Sequence, residues 1–310
     1  MVTAAVKRDN GYTLKIVHDD DGGNPRDWDN LGTMLCWHRQ YNLGDKNNYS
    51  DHRDFLADLV TENMPTKDII AYVKDGKANG MELQYDKSTR EWELKSYDSH
   101  FKKWFTEHTA DAPLNMNDGI LADAILENMS VSDLLALAEK SAVIRPLHLY
   151  DHSIQSISMQ SFYGRAHHAD WDSGQVGWVY ATHDDIKKQY GDASPASIEK
   201  ALKVLKAEVE TYDHYVQGNC FGFQLFDKTG DVIDSCWGFI GDFDDAKKKI
   251  SEYLPKGAKQ LAENAEYGDD DPEESGSKPS LLAQVKENQE IIKWQGGGAD
   301  MTKKKDTLLE

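Results

Sequence analysis

Cysteine is scarce in this sequence, and its few copies stand far apart. The chain has 310 residues and 3 Cys, namely Cys36, Cys220 and Cys236, with no CxxC pair. Cys36 and Cys236 each precede a Trp inside an apolar run, which predicts buried thiols rather than metal ligands or nucleophiles. A sparse and odd cysteine count is typical of a reducing compartment, so we expect a cytosolic location.

Long apolar runs are also missing. No run in the sequence approaches the roughly 20 residues that a helix needs to cross a bilayer. The N-terminus has no basic segment leading into an apolar core, the pattern of a secretory signal peptide. We therefore expect neither export nor association with a membrane.

The motifs that mark common catalytic sites are absent as well. The sequence contains neither GxxxxGK[ST] nor a GxGxxG that leads into a helix, the two patterns that cradle phosphates on backbone N–H groups. It has no GxSxG nucleophile elbow. We therefore predict that the protein is not an enzyme and uses no cofactor.

Positive charge is in short supply. Asp and Glu number 54 against 35 Lys and Arg, which gives a formal net charge of −19. Such a surface repels nucleic-acid phosphates and suits a basic partner. Any single acidic run is explained equally well as a solvated loop, so only the summed excess favours a partner. The candidate partner-binding carboxylates are Asp19, Asp20, Asp21, Asp184, Asp185, Asp244, Asp245, Asp269, Asp270 and Asp271.

Hydrophobic periodicity predicts an α+β fold with a mixed, mostly antiparallel sheet and helices on one face. Residues 143–159 and 220–240 have the pattern of hairpins, and the strands do not alternate regularly with helices. Residues 197–215 form the clearest helix, with apolar residues at spacings of three and four. Residues 1–10 read as a frayed start, and 90–94 as either a strand or a helix. Other helices are predicted over 51–60, 66–75, 118–129, 131–141, 182–190 and 243–254, and other strands over 12–17, 32–37, 81–85 and 177–180.

Two short strings suggest a division into related halves. Trp28–Trp37 and Trp171–Tyr180 both begin with Trp-Asp and a small polar residue, continue through a Gly, and end in an apolar run. One turn-strand unit used twice would explain this echo, and chance is the competing explanation. We expect an N-terminal α+β half over residues 1–142, a C-terminal half over 143–255, and an acidic linker and tail with one helical stretch over 256–310.

Histidines supply the best candidate for chemistry. The candidate metal or acid–base residues are His148, Asp151, His152 and His167. In an extended strand positions 148, 150 and 152 share one face, so two imidazoles could reach one ion. The spacing matches no zinc pattern, and a hydrogen-bonded polar cluster is the competing interpretation.

Four strings together resemble a family of proteins encoded mainly by phages and their hosts. They are NPRDWDNLGTMLCWHRQYNLGD (24–45), LYDHS (149–153), WDSGQVGWVY (171–180) and ETYDHYVQGNCFGF (210–223). In this order they are spread over most of the length of residues 12–240. This resemblance indicates that the chain is related to the family, but it implies little about the function.

By phage character, size and acidity, the chain is also similar to the viral Gabija anti-defence proteins. That resemblance implies a non-catalytic inhibitor that acts in the host cytoplasm and assembles as a homo-oligomer around a host defence complex. It would block DNA binding and cleavage by occupying a basic DNA-binding surface, without itself binding nucleic acid. No single inhibitory residue is carried over, and the acidic tail after Pro255 departs from the pattern.

Three hypotheses follow. The first is a phage-encoded inhibitor of a defence nuclease, supported by net charge and the four strings. The second is a metal-dependent hydrolase that uses the histidine candidates. The third is a non-catalytic accessory phage protein whose Trp-Asp strings only build a core, which predicts that Trp28→Ala and Trp171→Ala unfold the chain.

Overall fold

A computed structural model describes residues 3–268 of the chain. The strands in that range are β1 (Thr3–Asp9), β2 (Tyr12–His18), β3 (Thr33–Cys36), β4 (Met81–Asp86), β5 (Glu91–Asp98), β6 (Lys103–Asp111), β7 (Ala142–His152), β8 (Ile154–Ser158), β9 (Ser173–Thr182), β10 (Cys220–Phe226) and β11 (Val232–Ile240). The helices are α1 (His52–Asn63), α2 (Thr66–Lys74), α3 (Gly119–Asn128), α4 (Val131–Ala138), α5 (Ala169–Asp172), α6 (His183–Tyr190), α7 (Pro195–Val216), α8 (Phe243–Tyr253) and α9 (Lys259–Glu263). All the strand pairings within these described residues are antiparallel, and the predicted α+β class is confirmed.

The chain divides into two compact units. Within the described residues, one is continuous, Asn24–Gln217, and the other combines residues 3–23 with residues 218–268. We call them the continuous unit and the split unit. Their division points differ from the boundaries expected near residues 142 and 255. The reason is strand pairing between distant segments, since β3 shares a sheet with β7 to β9, and β1–β2 shares one with β10–β11.

The split unit is built on a four-stranded sheet in the order β1-β2-β10-β11, which we call sheet A. Alternate residues of β10, namely Phe221, Phe223 and Leu225, are buried against α8 and α9. β1 lies at one edge of this sheet, where a frayed start was expected. Its short apolar run of Ala4, Ala5 and Val6 is buried, because pairing with β2 brings it onto the core.

The continuous unit contains sheet B, in the order β3-β9-β7-β8, with helices packed on both faces. Long helix α7 covers one face. Ser194 caps its N-terminus by accepting a hydrogen bond from the Ser197 N–H, and Pro195 occupies its first turn. Its buried residues recur at helical spacing on the side toward the sheet. Helices α1, α3 and α4 cover the opposite face. We expected helices on one face of the sheet, whereas sheet B has helices on both.

The two echoing Trp-Asp strings become neighbours in sheet B. β3 lies within one string and β9 begins within the other, and the two strands pair antiparallel with Cys36 opposite Gly177. A Cβ atom at position 177 would overlap the carbonyl oxygen of Leu35. Glycine is therefore required where the two strands approach most closely.

A separate three-stranded sheet, β4-β5-β6, forms sheet C of the continuous unit. Its inner face contributes Met81 and Leu94 to the core that α2 and α3 share. β6 is an edge strand that the sequence reading did not identify. Seven of its nine residues are exposed, so the strand shows no apolar alternation to read.

Candidate functional site

The histidine candidates lie on β7 and on the segment that follows β8. His148 and His152 sit at alternate positions of β7, as expected for one face, and the Tyr150 ring stacks on His152 with centroids 5.9 Å apart. Asp151 lies on the opposite face. Its Oδ1 accepts a hydrogen bond from Gln155 Nε2 at 2.9 Å, so it does not join the histidines.

The carboxylate that contacts the histidines is Asp172, which the sequence analysis did not predict, and not Asp151. His152 Nδ1 lies 2.7 Å from Asp172 Oδ2. The rings of His167 and His168 approach His152 with centroid distances of 6.4 and 6.1 Å. This pairing orients one imidazole by a carboxylate, the arrangement found in acid–base dyads. Asp172 stands at the start of one of the Trp-Asp strings, which was the available signal.

The histidines do not form a metal centre in the described residues. No group of three or more His, Cys, Asp or Glu in residues 3–268 could hold a metal ion. Burial, with a contribution from the nearby Arg165 guanidinium, lowers the pKa of His148. The neutral form of its imidazole is therefore favoured at neutral pH.

Two of the predicted partner-binding carboxylates serve a helix terminus. The side chains of Asp185 and Thr182 form a capping box at the start of α6. Asp184 and Asp185 also form ion pairs with Lys187 and Lys188, at 2.8 and 3.2 Å. The hydrogen bond from Lys187 lowers the pKa of Asp184, and both residues are accounted for by the helix itself.

Some of the predicted partner-binding carboxylates of the split unit also have structural partners. Asp244 and Asp245 lie in the first turn of α8, where they pair with Lys247 and Lys248. Asp19 Oδ2 accepts a hydrogen bond from the Gly238 N–H at 3.0 Å and therefore holds two strands together. Asp20 and Asp21 are exposed next to it. Three further candidates, Asp269, Asp270 and Asp271, lie outside the described residues.

The outer face of sheet C carries a row of carboxylates that the sequence reading did not single out. Asp86 lies directly opposite Glu91, and Glu91 lies directly opposite Asp111 on the third strand. Directly opposed residues of like charge destabilise a sheet. Within the described residues neither Glu91 nor Asp111 forms an ion pair, whereas the neighbouring Glu93 pairs with Lys95 at 2.9 Å.

A buried ion network in the continuous unit holds the family-like string over residues 24–45. Arg26 donates to both carboxylate oxygens of Asp45, at 2.9 and 2.8 Å. Glu208 accepts hydrogen bonds from the Leu31 N–H at 2.7 Å and the Gly32 N–H at 3.0 Å. Burial raises the pKa of Glu208 despite these hydrogen bonds. The network fixes the segment before β3 against α7.

A second contact fixes α7 against β8. Asp213 of α7 accepts hydrogen bonds from the Ile157 N–H at 2.7 Å and the Ser156 hydroxyl at 2.9 Å. The first and last strings are joined directly, because the Tyr212 hydroxyl accepts a hydrogen bond from the Gly44 N–H at 2.8 Å.

Comparisons with known proteins return no relative. No family model matches the chain, and no curated protein or solved structure matches it either. Among the described residues, no helix has both the length and the apolar character needed to span a bilayer.

Proposed function

We propose that this protein is a phage-encoded inhibitor of a bacterial anti-phage defence system. In this proposal it binds a host defence nuclease complex in the host cytoplasm and assembles there as a homo-oligomer. It occupies the basic surface that the complex uses for DNA, and so blocks DNA binding and cleavage. It makes no direct contact with nucleic acid and uses no cofactor.

The carboxylate row of sheet C is the observation that carries the proposal. Asp86, Glu91 and Asp111 lie side by side across three strands, in a chain whose net charge is −19. Adjacent carboxylates on one face cost folding free energy, because like charges directly opposite one another destabilise a sheet. A basic partner would repay that cost on binding, because its cations neutralise the repulsion.

Electrostatics also supply a mechanism of inhibition. A negative surface is attracted over long range to the positive groove that binds the DNA backbone. Once bound, it competes with the phosphates for the same Lys and Arg side chains. Inhibition by this route needs no catalytic group on the inhibitor, and it weakens as the salt concentration rises.

An affinity pull-down tests the proposal. Tagged protein is incubated with lysate from bacteria that express a library of defence systems, and bound proteins are identified by mass spectrometry. We expect recovery of a DNA-cutting or DNA-sensing complex, whose mass is then measured by light scattering. If folded protein recovers no such complex across the library, the proposal is wrong.

Charge-reversal variants connect the pull-down to sheet C. Glu91→Lys combined with Asp111→Lys should reduce recovery of the complex at least tenfold. The matched control is Glu199→Lys combined with Glu210→Lys, which makes the same change of net charge on the exposed side of α7. The control should retain binding. Equal losses in both double variants would attribute binding to net charge rather than to sheet C.

A hydrolase is the second candidate, and the His152–Asp172 pair favours it. An imidazole held by a carboxylate at 2.7 Å could act as a general base. The metal-dependent form of this hypothesis is weakened by the separation of Asp151 from the histidines. Elemental analysis of protein purified without chelators tests it, since a stoichiometric transition metal would revive the hypothesis that His148, His152 and His167 bind one.

A further inference from the structure

The hairpin between β5 and β6 exposes a cluster of aromatic side chains. Tyr97, Phe101, Trp104 and Phe105 are 43%, 63%, 45% and 44% exposed. The rings form two contacting pairs, with centroids 5.4 Å apart for Tyr97 and Trp104 and 6.2 Å apart for Phe101 and Phe105. Trp104 and Phe105 are consecutive residues of β6, so the two pairs lie on opposite faces of sheet C. We call these four residues the hairpin aromatic cluster. Exposed aromatic side chains are enriched at protein–protein interfaces.

The cluster adjoins an open sheet edge. β6 is the last strand of sheet C in the described chain, and it is exposed along most of its length. An edge strand presents unpaired N–H and C=O groups to which another strand can add. A strand that adds to this edge would make main-chain hydrogen bonds with β6, and it would also bury the neighbouring aromatic side chains.

The charge of the hairpin indicates which kind of partner strand would pair with β6. The hairpin segment 98–107 contains two carboxylates, Asp98 and Glu107, and two ammonium groups, Lys102 and Lys103. It is formally neutral within a chain of net charge −19, so two copies can meet here without the repulsion that opposes contact elsewhere. A strongly basic or acidic partner would gain little from a neutral segment.

The spacing of the charges is also self-complementary. Lys103 and Glu107 lie two residues before and two residues after Phe105. If two β6 strands pair antiparallel about a two-fold axis at Phe105, Lys103 of each copy lies opposite Glu107 of the other. Residues of opposite charge placed directly opposite each other stabilise an antiparallel pair. Isologous interfaces require such self-complementarity.

We propose that a second copy of this chain pairs with β6 as an antiparallel strand, with the two-fold axis at Phe105. The pairing joins two copies of sheet C into one six-stranded sheet whose acidic faces lie on the same side. The two aromatic pairs of each copy flank the joined strands, one pair on each face of the sheet. Burial of the four half-exposed rings removes roughly 400 Å² of apolar surface per copy. That is about half of the ~800 Å² per partner in a standard interface, and the strand edge supplies further area.

Sedimentation velocity over a concentration series tests the pairing with the purified full chain. We expect a dimer in the micromolar range. Phe105→Glu places two carboxylates together at the axis and should raise the dimer dissociation constant at least tenfold. The control is Trp171→Glu, which introduces the same charge at an aromatic side chain that is 89% exposed, and it should leave the dimer unchanged. A monomer at every concentration, or a Phe105→Glu variant that dimerises normally, would overturn the inference.

A charge swap tests the register. Lys103→Glu and Glu107→Lys should each weaken the dimer, because each places like charges opposite one another. The double variant should recover most of the original affinity, which a merely structural role of either residue would not produce. Failure of the double variant to recover contradicts the axis at Phe105. The inference deepens the homo-oligomer part of the proposed function and rests on that part alone. A monomer would overturn the pairing of β6, whereas binding to the defence complex is tested separately by the pull-down.

Discussion

Arg26 and Glu208 are the buried charged residues that best explain the family-like string over residues 24–45. The Arg26 side chain is 4% exposed and the Glu208 side chain 12%. Buried charges persist only when they are paired and hydrogen-bonded, and here two backbone N–H groups and Asp45 complete the pairing. The surrounding string is therefore constrained by one electrostatic cluster.

Loss of the Glu208 carboxylate should destabilise the protein. Glu208→Ala leaves the Leu31 and Gly32 N–H groups without their acceptor and removes a counter-charge of Arg26. We expect a loss of about 3 kcal/mol in the free energy of unfolding. Urea denaturation measures this. Glu210→Ala, on the exposed side of the same helix, should change stability by less than about 0.5 kcal/mol, and equal effects would contradict the role of the network.

Asp192 should titrate at unusually low pH. Hydrogen bonds from the Ser197 hydroxyl at 2.6 Å and from Ser194 lower the pKa of Asp192 to about 2. A lowered pKa means that its contribution to stability is present above the ordinary value of 3.8 and is lost as the pH falls toward 2. Carbon-detected NMR of the carboxyl group should give a midpoint near 2. Ser197→Ala should raise that midpoint, and an unshifted midpoint in the unaltered protein would contradict the geometry.

Individual contacts were the hardest feature to predict from the sequence. The placement of His148 and His152 on one face followed from strand periodicity alone. Asp151, predicted together with these histidines, lies on the other face of β7, because adjacent residues of a strand point to opposite faces. Asp172 and Glu208 reach their partners through tertiary contacts, across 20 and 177 residues of chain. No local pattern encodes such contacts.

At the scale of elements, hydrophobic periodicity and capping residues predicted the helices and hairpins that local interactions stabilise. The helix predicted over 197–215 is observed as Pro195–Val216, because its buried stripe and its capping residues agree. The hairpin predicted over 220–240 is observed as β10 and β11. β6 was missed, since a strand exposed on both faces shows no periodicity.

The exposure of two tryptophans bears on the accessory-protein hypothesis. Trp28 is 54% exposed and Trp171 is 89% exposed. Neither side chain belongs to a core cluster of the described residues. The hypothesis that these Trp-Asp strings only build a core is therefore not supported by the tryptophans that open them.

Glycine at position 177 should be essential for pairing of β3 with β9. Gly177→Ala places a methyl group against the Leu35 carbonyl oxygen and forces the strands apart. We expect a loss of about 2–3 kcal/mol, typical of overpacking in a core. Gly174→Ala in the same strand is the control, because no atom lies within 4 Å of its added Cβ. Thermal denaturation compares the two, and similar midpoints would be inconsistent with the close approach.

At the scale of the whole molecule, the chain leaves the split unit, builds the continuous unit, and returns. The two core clusters of residues 24–217 lie wholly within that range. We therefore expect a fragment of residues 24–217 to fold alone, with cooperative thermal unfolding followed by circular dichroism. A non-cooperative transition would indicate that the split unit is needed for its stability.

The net charge of −19 is the molecular property on which the proposed function depends most directly. It was evident from composition, whereas the carboxylate row of sheet C required the strand register. The net charge and the carboxylate row together support the proposal that the protein occupies a basic DNA-binding surface.

Competition for DNA is the measurement that tests this claim most directly. A fluorescently labelled DNA duplex is bound to a purified defence nuclease complex recovered in the pull-down, and the protein is titrated in while anisotropy is recorded. We predict that the anisotropy falls to the value of free DNA as a stoichiometric protein complex forms, and that higher salt weakens this complex. Formation of a ternary complex that retains the DNA would contradict inhibition by occlusion.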